Sequence, residues 1–409
     1  MENKPIEDTV KKMIEDMPTI DLPPCRKFLS TGSTLLDLAI AGKYPGGVGC
    51  GRIVHIFGGN STAKSALAQE ILGSAQRMGG HAIFDDVEGT LDFDRAGLFG
   101  LKTGKWNNPE VCLANLDKPL KEAIKIDPLF TYRHSSSIEE WFDDELGTLV
   151  DILVKKELEG PVALVEDSLS ALPSKVELDS ELIDATYGTS RAKQFSAGFR
   201  KYIFAIAELG ITIIAVDQTR DNITGYGKSY SVSGGNAILF YSSTRILLKL
   251  KEKIKNLYDQ VVGIRVDFEI EKNKVSAPHR KGHFNLLFDV GIDDITANFQ
   301  WLKQHNILTD EQQKEKDELV SGYEALFAVC SKASERRRLK NELKDKLKSF
   351  DKKSGWWEFK GHKEQSLDKM VVYIEEENLE EELRQEVARV WNIVHQPTGR
   401  KCRHGDNND

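Results

Sequence analysis

An apolar run, Arg52–Phe57, leads directly into GGNSTAKS (58–65), and helical apolar spacing starts immediately after it. Strand, glycine-rich loop, helix is the context that a phosphate-binding loop of the form G-x-x-x-x-G-K-[ST] requires. This feature constrains the fold more than any other, because it needs a buried strand beneath the loop and a helix N-terminus above it. The backbone N–H groups of Gly58, Gly59, Asn60, Ser61, Thr62 and Ala63, with the helix N-terminus, would wrap phosphates. Lys64 would reach the β- and γ-phosphates, and the Ser65 hydroxyl would ligate Mg²⁺. Ala63 stands where the motif has glycine, a change that costs little at negative φ and something at positive φ. Read alone, the segment also suits a glycine-rich turn with no ligand.

The chain beyond it alternates as such a loop demands. Lys64–Met78 reads as helix, His81–Asp86 as strand, Ile138–Lys156 as helix and Val162–Glu166 as strand. Arg191–Glu208 reads as helix and Ile211–Val216 as strand. Short apolar strands separated by helices predict an α/β fold, a mostly parallel twisted sheet with helices on both faces. After Gly234 the pattern becomes strand-rich (244–250, 263–271, 284–288), which predicts an antiparallel extension of the same sheet.

Smaller parts flank this core. Residues 6–17 read as an amphipathic helix stopped by Pro18, and Pro23-Pro24 as a linker. Residues 30–42 carry a Ser/Thr-rich start and helical spacing, and 45–51 read as a turn. Residues 310–353 are highly charged with helical spacing, 355–361 are aromatic and turn-like, 366–392 are helical, and 396–409 read as a disordered tail. The expected division is therefore 1–28, 29–295, 296–395 and 396–409, the third part α-rich.

Three further strand ends carry polar groups that suit nucleotide chemistry. VALVEDS (162–168) runs apolar residues into Asp167, where a carboxylate can hold Mg²⁺. Glu88 follows AIFDDV and could polarise an attacking water. Gln218 ends IIAVDQ and could sense a γ-phosphate. Taken singly, each also suits an ordinary polar strand end. The long segment TRDNITGYGKSYSVSGGN (219–236) combines Arg220 and Lys228 with Tyr226 and Tyr230. Cations for phosphates and rings for bases suit single-stranded nucleic acid; a mobile substrate lid is the alternative. Residues 177–190 form a second such segment.

Charge and cysteines narrow the classes. The net charge of −8 argues against a generic basic DNA-coating protein but leaves room for a local basic groove. Lys332–Lys353 holds ten basic and four acidic residues, and Glu375–Glu386 holds seven Glu and one Arg. Each run suits a solvated helix face; a basic nucleic-acid surface with a competing acidic helix is the sharper reading. Five scattered cysteines, odd in number and without C-x-x-C spacing, argue against a disulfide framework and a structural zinc site, so reduced thiols are expected. No apolar run is long enough to span a membrane, and no secretory signal is evident, so the cytosol is expected.

Together these residues resemble the RecA family of recombinases, including its phage UvsX-like branch. The carrying stretches are STGSTLLDLAI, GRIVHIFGGNSTAKS, DVEGTLD, ALVEDSLSALPSKVE, AVDQTR, SGGNAILFYSSTR, EKNKVSAPHRKGHF and GWWEFKGHK. The resemblance runs over about 27–295 and resumes at 354–392. It implies an ATPase core in which Lys64 and Ser65 are the Walker A lysine and hydroxyl and Asp167 is the Walker B aspartate. Glu88 is implied as the glutamate that activates water, and Gln218 as the residue coupling γ-phosphate to the second DNA loop. Asp92 falls at the adenine contact, and Arg95 replaces the stacking aromatic. Lys272 and Lys274 match lysines that act across a filament interface on the neighbouring subunit's phosphates. Residues 177–190 and 219–233 match the two DNA loops. Ser196, Arg200 and Arg220 fall at phosphate contacts, and Gly234, Gly235 and Asn236 at a backbone-contact turn.

Residues 104–128 and the charged stretch near 310–350 are extra to the bacterial pattern. Residues 6–17 would be a polymerisation arm or an ordinary packing helix. The activity implied is an ATP- and Mg²⁺-dependent DNA recombinase. It would form helical filaments on single-stranded DNA, pair it with homologous duplex DNA, and work with mediator and single-strand-binding proteins. A DNA-dependent motor or regulator without strand exchange, and a DNA-binding protein with a degenerate nucleotide site, are the alternatives.

Overall fold

The computed structural model describes residues 27–104, 109–179, 187–221, 230–232, 235–305, 307, 310–330, 332–347 and 355–395. The segments 6–17 and 396–409, read above as helix and tail, lie outside the described residues. Two compact units divide at Asp294 and Ile295.

The first unit is built on strands β1 (Phe28–Leu29), β2 (Val48–Gly49), β3 (Ile53–Gly58), β4 (His81–Asp86), β5 (Phe130–Arg133) and β6 (Val162–Asp167). It continues with β7 (Ile211–Asp221), β8 (Tyr230–Val232), β9 (Thr244–Lys255), β10 (Val261–Asn273), β11 (Lys281–Leu287) and β12 (Gly291–Asp293). The central sheet has the order β12-β11-β10-β9-β3-β7-β6-β4-β5, and β8 pairs with β7. Strands β9, β3, β7, β6, β4 and β5 run parallel to one another. Strands β10 to β12 are antiparallel additions. The α/β architecture read from the sequence is the one observed. One detail differs: the first strand of the extension, β9, is itself parallel to β3, and the antiparallel run starts at β10.

Burial explains why the inner strands read so clearly. Every residue of β3, β4 and β6 is buried, so their apolar residues run consecutively (Ala82–Phe84, Val162–Val165) rather than alternating. The buried polar residues are His55 within β3, His81 at the start of β4, and Asp85, Asp86, Glu166 and Asp167 at strand ends. Strand β5 was invisible in the sequence. It is short, FTYR, and follows two helices, Pro109–Ala114 and Leu120–Ile126, in the region read as an insertion. The helix expected over 138–156 contains a π-helical stretch, Trp141–Leu146, between two α-helical pieces. Trp141 and Phe142 are buried there against Phe199.

The second unit holds its own core of Phe299, Phe359, Met370, Ile374 and Leu383, with the hairpin β13 (Trp357–Phe359) and β14 (His362–Glu364). The charged stretch forms helices Asp310–Val329 and Ala333–Leu347, and Tyr323 Oη donates to Glu342 between them at 2.7 Å. The single helix read over 366–392 is two, Leu367–Glu376 and Glu380–Val394. Asn378 takes the left-handed conformation (φ 52°) between them, and Leu379 N–H donates back to Ile374. Glu380, Glu381 and Glu382 then fill the first turn of the last helix, where carboxylates oppose the helix dipole favourably.

In the first unit, the carboxylates of Asp37, on the first described helix Thr34–Ala41, Glu70 and Asp294 lie close enough for their charges to interact. Ser30 and Thr31 donate to Asp37, and Thr34 donates to Asp294 through both N–H and Oγ1. Among the described residues, Glu70 has Arg77 as its ion-pair partner, 4.0 Å away. Burial, with Asp37 and Asp294 adding to it against Arg77, pushes Glu70 up to about 7. A carboxyl raised in the folded state contributes stability at low pH that is lost as pH rises through its folded value. Glu70→Gln is therefore expected to raise stability at pH 8 by on the order of 2 kcal/mol and to change little at pH 5. Denaturant melts at the two pH values check it, and an equal effect at both would contradict it.

Candidate active site

Parallel pairing sets the ends of four strands level with one another. Gly58 at the end of β3 pairs with Gln218 of β7. Val216 of β7 pairs with Asp167 of β6, and Asp167 pairs with Asp86 of β4. Polar groups far apart in sequence thus share one edge of the sheet. In open α/β sheets, ligands bind outside this carboxyl edge.

The phosphate loop joins β3 to the helix Lys64–Arg77. A Cβ on Gly58 would lie 2.3 Å from the Leu248 carbonyl, so only glycine fits between β3 and β9 there. Thr62 Oγ1 donates to the Gly59 carbonyl at 2.9 Å, and Lys64 Nζ donates to the same carbonyl at 2.8 Å. Ala63 adopts φ 65°, ψ 24°, and Ser61 adopts φ 55°. Both are left-handed, a conformation that costs an L-residue roughly 1–2 kcal/mol. Alanine in the place of the motif's glycine therefore strains the loop.

Ser65 Oγ donates to Asp167 Oδ2 at 2.5 Å. Burial pushes Asp167 up to about 6, opposed by the Ser65 bond and by Lys64, and reinforced by Glu88 and Asp86. Burial also pulls the Lys64 ammonium below its usual value, while Asp167, Glu88 and Asp217 pull it upward. Oxygen donors with surplus negative charge suit a hard divalent cation. Among the described residues no three His, Cys, Asp or Glu side chains converge on a metal. Ser65 and Asp167 could therefore hold Mg²⁺ only with oxygens supplied by water or a bound phosphate chain.

Glu88 does not end β4, as read from the sequence; β4 stops at Asp86, and Glu88 sits exposed in the turn beyond. Asp86 shapes that turn, accepting from Thr90 N–H and Leu91 N–H, and from Tyr132 Oη at 3.0 Å. Ser168 Oγ donates to Glu88 Oε1 at 2.7 Å. Ser168 and Tyr132 were not singled out in the sequence. A serine directly after Asp167 was the available signal for the first; the second lies on the strand that was missed.

Gln218 is likewise not a strand end. Strand β7 continues to Asp221 and pairs with β8, Thr219 opposite Val232 and Asp221 opposite Tyr230. β-branched and aromatic residues at both ends of the segment favour this ribbon over open loop. Gln218 is exposed beside Gly58. Asp92 caps the helix Phe93–Ala96 by accepting from Asp94 and Arg95 N–H, and Arg95 Nη2 donates to the Phe288 carbonyl at 3.0 Å.

Ser196 and Arg200 lie one turn apart on the helix Tyr187–Glu208, half-buried and exposed, while Phe195, Phe199 and Tyr202 are buried on the neighbouring face. Arg220 lies on β7 and Tyr230 opens β8. Gly235 and Asn236 begin the helix Gly235–Tyr241, so Asn236 is helical rather than part of a turn. Tyr226, Lys228 and Gly234 lie outside the described residues, as do 180–186 within the segment 177–190.

Lys272 and Lys274 flank Asn273 at the end of β10. Lys272 Nζ donates to the carbonyls of Leu239 (2.7 Å) and Phe240 (2.9 Å). Burial, with Lys274 and Arg245 adding to it, pushes Lys272 down to about 8. Lys274 is exposed. Asn273 Nδ2 donates to the Ile40 carbonyl at 2.8 Å and so holds the turn that carries both lysines.

Comparison with known proteins shows which family the chain resembles. The sequence model of the RecA N-terminal domain family matches residues 24–109 and 145–293. Protein RecA of Solidesulfovibrio magneticus is 30% identical over 282 residues, 68% of this chain and 68% of that protein. Protein RecA of Chlamydia trachomatis serovar L2 is 31% identical over 281 residues, 68% of this chain and 70% of that protein. Protein RecA of Helicobacter pylori strain P12 is 32% identical over 266 residues, 64% and 66% respectively.

The strained loop yields a direct test. Ala63→Gly is expected to stabilise the protein by roughly 1 kcal/mol, since glycine accepts the left-handed conformation without a Cβ penalty. Urea melts check it; a loss of stability would show that position 63 is not left-handed in solution.

Proposed function

This chain belongs to the RecA family, and from that premise we propose that it is an ATP-dependent DNA recombinase. It assembles as a helical filament on single-stranded DNA and pairs that strand with homologous duplex. Mediator and single-strand-binding proteins would assist loading, and the setting is the cytoplasm. The observation that carries the reading is the contact between Ser65 and Asp167 at 2.5 Å, with the buried ammonium of Lys64 beside it. Two motif residues that are 102 positions apart in sequence meet where a nucleotide's terminal phosphates would lie.

In this mechanism the loop amides of 58–63 and Lys64 bind the phosphate chain, with Asp92 and Arg95 near the base. Mg²⁺ held by Ser65 and Asp167 would screen charge between phosphate oxygens. Glu88, held by Ser168, takes a proton from a water molecule whose oxygen attacks the γ-phosphorus. The bond to the β–γ bridging oxygen breaks, giving ADP and phosphate. Catalysis is positioning and electrostatics, with no covalent intermediate. Gln218 stands at the mouth of the segment 219–233 and would report the γ-phosphate to DNA. Lys272 and Lys274 would act on the nucleotide of the neighbouring subunit, as an arginine finger does. DNA phosphates would meet Ser196, Arg200 and Arg220, with Tyr226, Lys228 and Tyr230 along the second loop and Gly234, Gly235 and Asn236 at its end.

One observation favours a second reading, a RecA-fold ATPase without strand exchange. Lys272 Nζ is engaged by carbonyls of its own chain. In the recombinase reading it exchanges these carbonyls for phosphate when subunits meet.

Two outcomes are expected. Glu88→Gln leaves nucleotide affinity intact and lowers turnover by about a hundredfold or more, as removal of a general base does. Unchanged turnover would take Glu88 out of that role. Lys272→Ala mixed into wild-type protein poisons turnover beyond simple dilution, because the lysine serves its neighbour's site. Turnover proportional to the wild-type fraction would show that the lysine acts only within its own chain.

A further inference from the structure

Four adjacent strands, β7, β3, β9 and β10, put charged or titratable side chains into one buried layer. His55 Nε2 lies 2.9 Å from Asp217 Oδ2. Arg245 Nε donates to His55 Nδ1 at 3.2 Å, and Arg245 Nη1 donates to Glu271 Oε2 at 2.8 Å. The Phe57 ring lies beneath both, stacked on His55 at 4.8 Å and under the Arg245 guanidinium at 4.4 Å. Arginine can only donate, so His55 Nδ1 accepts and the ring proton resides on Nε2, directed at Asp217. Burial holds His55 below its usual value, in keeping with this neutral form.

Each end of this network adjoins a residue assigned to the site. Asp217 precedes Gln218. Glu271 precedes Lys272 and occupies a β-bulge, where the β9–β10 register shifts between Ile270 and Lys272. A bulge adds one residue and re-aims its neighbours. Here it brings Glu271 to the guanidinium while Lys272 pairs with Arg245 and reaches the Leu239 and Phe240 carbonyls. Those carbonyls close the helix Gly235–Tyr241, by which the chain returns from 219–233. The network thus joins the strand on which that segment leaves the sheet to the helix in which it comes back.

Stability alone does not account for this arrangement. Asp217 Oδ1 is buried without a hydrogen-bond partner among the described residues. An unsatisfied buried acceptor costs about 1–3 kcal/mol. Buried ion networks are often no more stabilising than apolar side chains of equal volume.

We propose that Asp217, His55, Arg245 and Glu271 are positioning residues that hold Gln218 and Lys272 as one unit, so that DNA engaging 219–233 sets the geometry of the nucleotide site. This rests on the roles given above to Gln218 and Lys272. His55→Leu cuts the network at its centre. His55→Gln is the conservative variant, because its amide offers one acceptor and one donor.

The test measures ATP turnover of the full-length protein with and without single-stranded DNA, alongside affinity for a fluorescent ATP analogue. In His55→Leu the DNA-stimulated kcat is expected to fall about tenfold, with KM and unstimulated turnover within about twofold of wild type. His55→Gln is expected to retain most of the stimulation. Where His55→Leu fails to fold, Glu271→Ala, at the outer end, takes its place with the same expectation. Adding the network variant to Gln218→Ala is expected to cause little further loss; losses that multiply would overturn the coupling. Full stimulation in a folded network variant would also overturn it. Wild-type turnover indifferent to DNA would instead overturn the functional reading on which it rests.

Discussion

Everything in the site depends on the register of four parallel strands. Gly58, Gln218, Asp167 and Asp86 reach one edge together because β3, β7, β6 and β4 are paired without a slip. A one-residue shift in any pair would turn the polar ends to the opposite face. The inner strands are buried along their whole length, so hydrophobic burial alone specifies that they are central. Close approach then adds specificity. The Leu248 carbonyl leaves no room for a side chain at position 58, which seats the phosphate loop against β9.

At that edge the electrostatics are unbalanced. Asp167 is crowded by Glu88 and Asp86, and burial raises it to about 6 although Ser65 and Lys64 favour its charged form. A site with surplus negative charge and a single buried lysine is complementary to a cation accompanied by a polyanion. Glu88 stands apart from this burial. It is exposed, yet Ser168 and the turn stitched by Asp86 hold it in place. An exposed, tethered carboxylate is accessible to water in a way that Asp167 is not.

Much of this was legible in the sequence, for physical reasons. Fully buried strands leave short, mostly apolar runs, and a phosphate loop has few substitutes for its lysine and hydroxyl, so β3, β4, β6 and β7 and the residues Lys64, Ser65 and Asp167 could be placed. What could not be read depended on partners distant in sequence. Strand β5 is four residues long and owes its place to β4. The π-helical turn at Trp141–Leu146, where Trp141 and Phe142 are buried against Phe199, is not revealed by helical spacing. The strain at Ala63 depended on the sign of one φ angle. Arg245 and His55 read as single polar residues in apolar strands; only the sheet order shows that they touch. The extension of β7 into a ribbon with β8 was hidden by the turn-forming residues between them.

The central claim is that one sheet edge hydrolyses ATP and that the segments leaving it sense DNA. ATP turnover with and without single-stranded DNA, at low and high salt, tests it most directly. Strong stimulation that fades as salt rises is the predicted result, because phosphate contacts release counterions. Turnover indifferent to DNA at both salt concentrations would contradict the account.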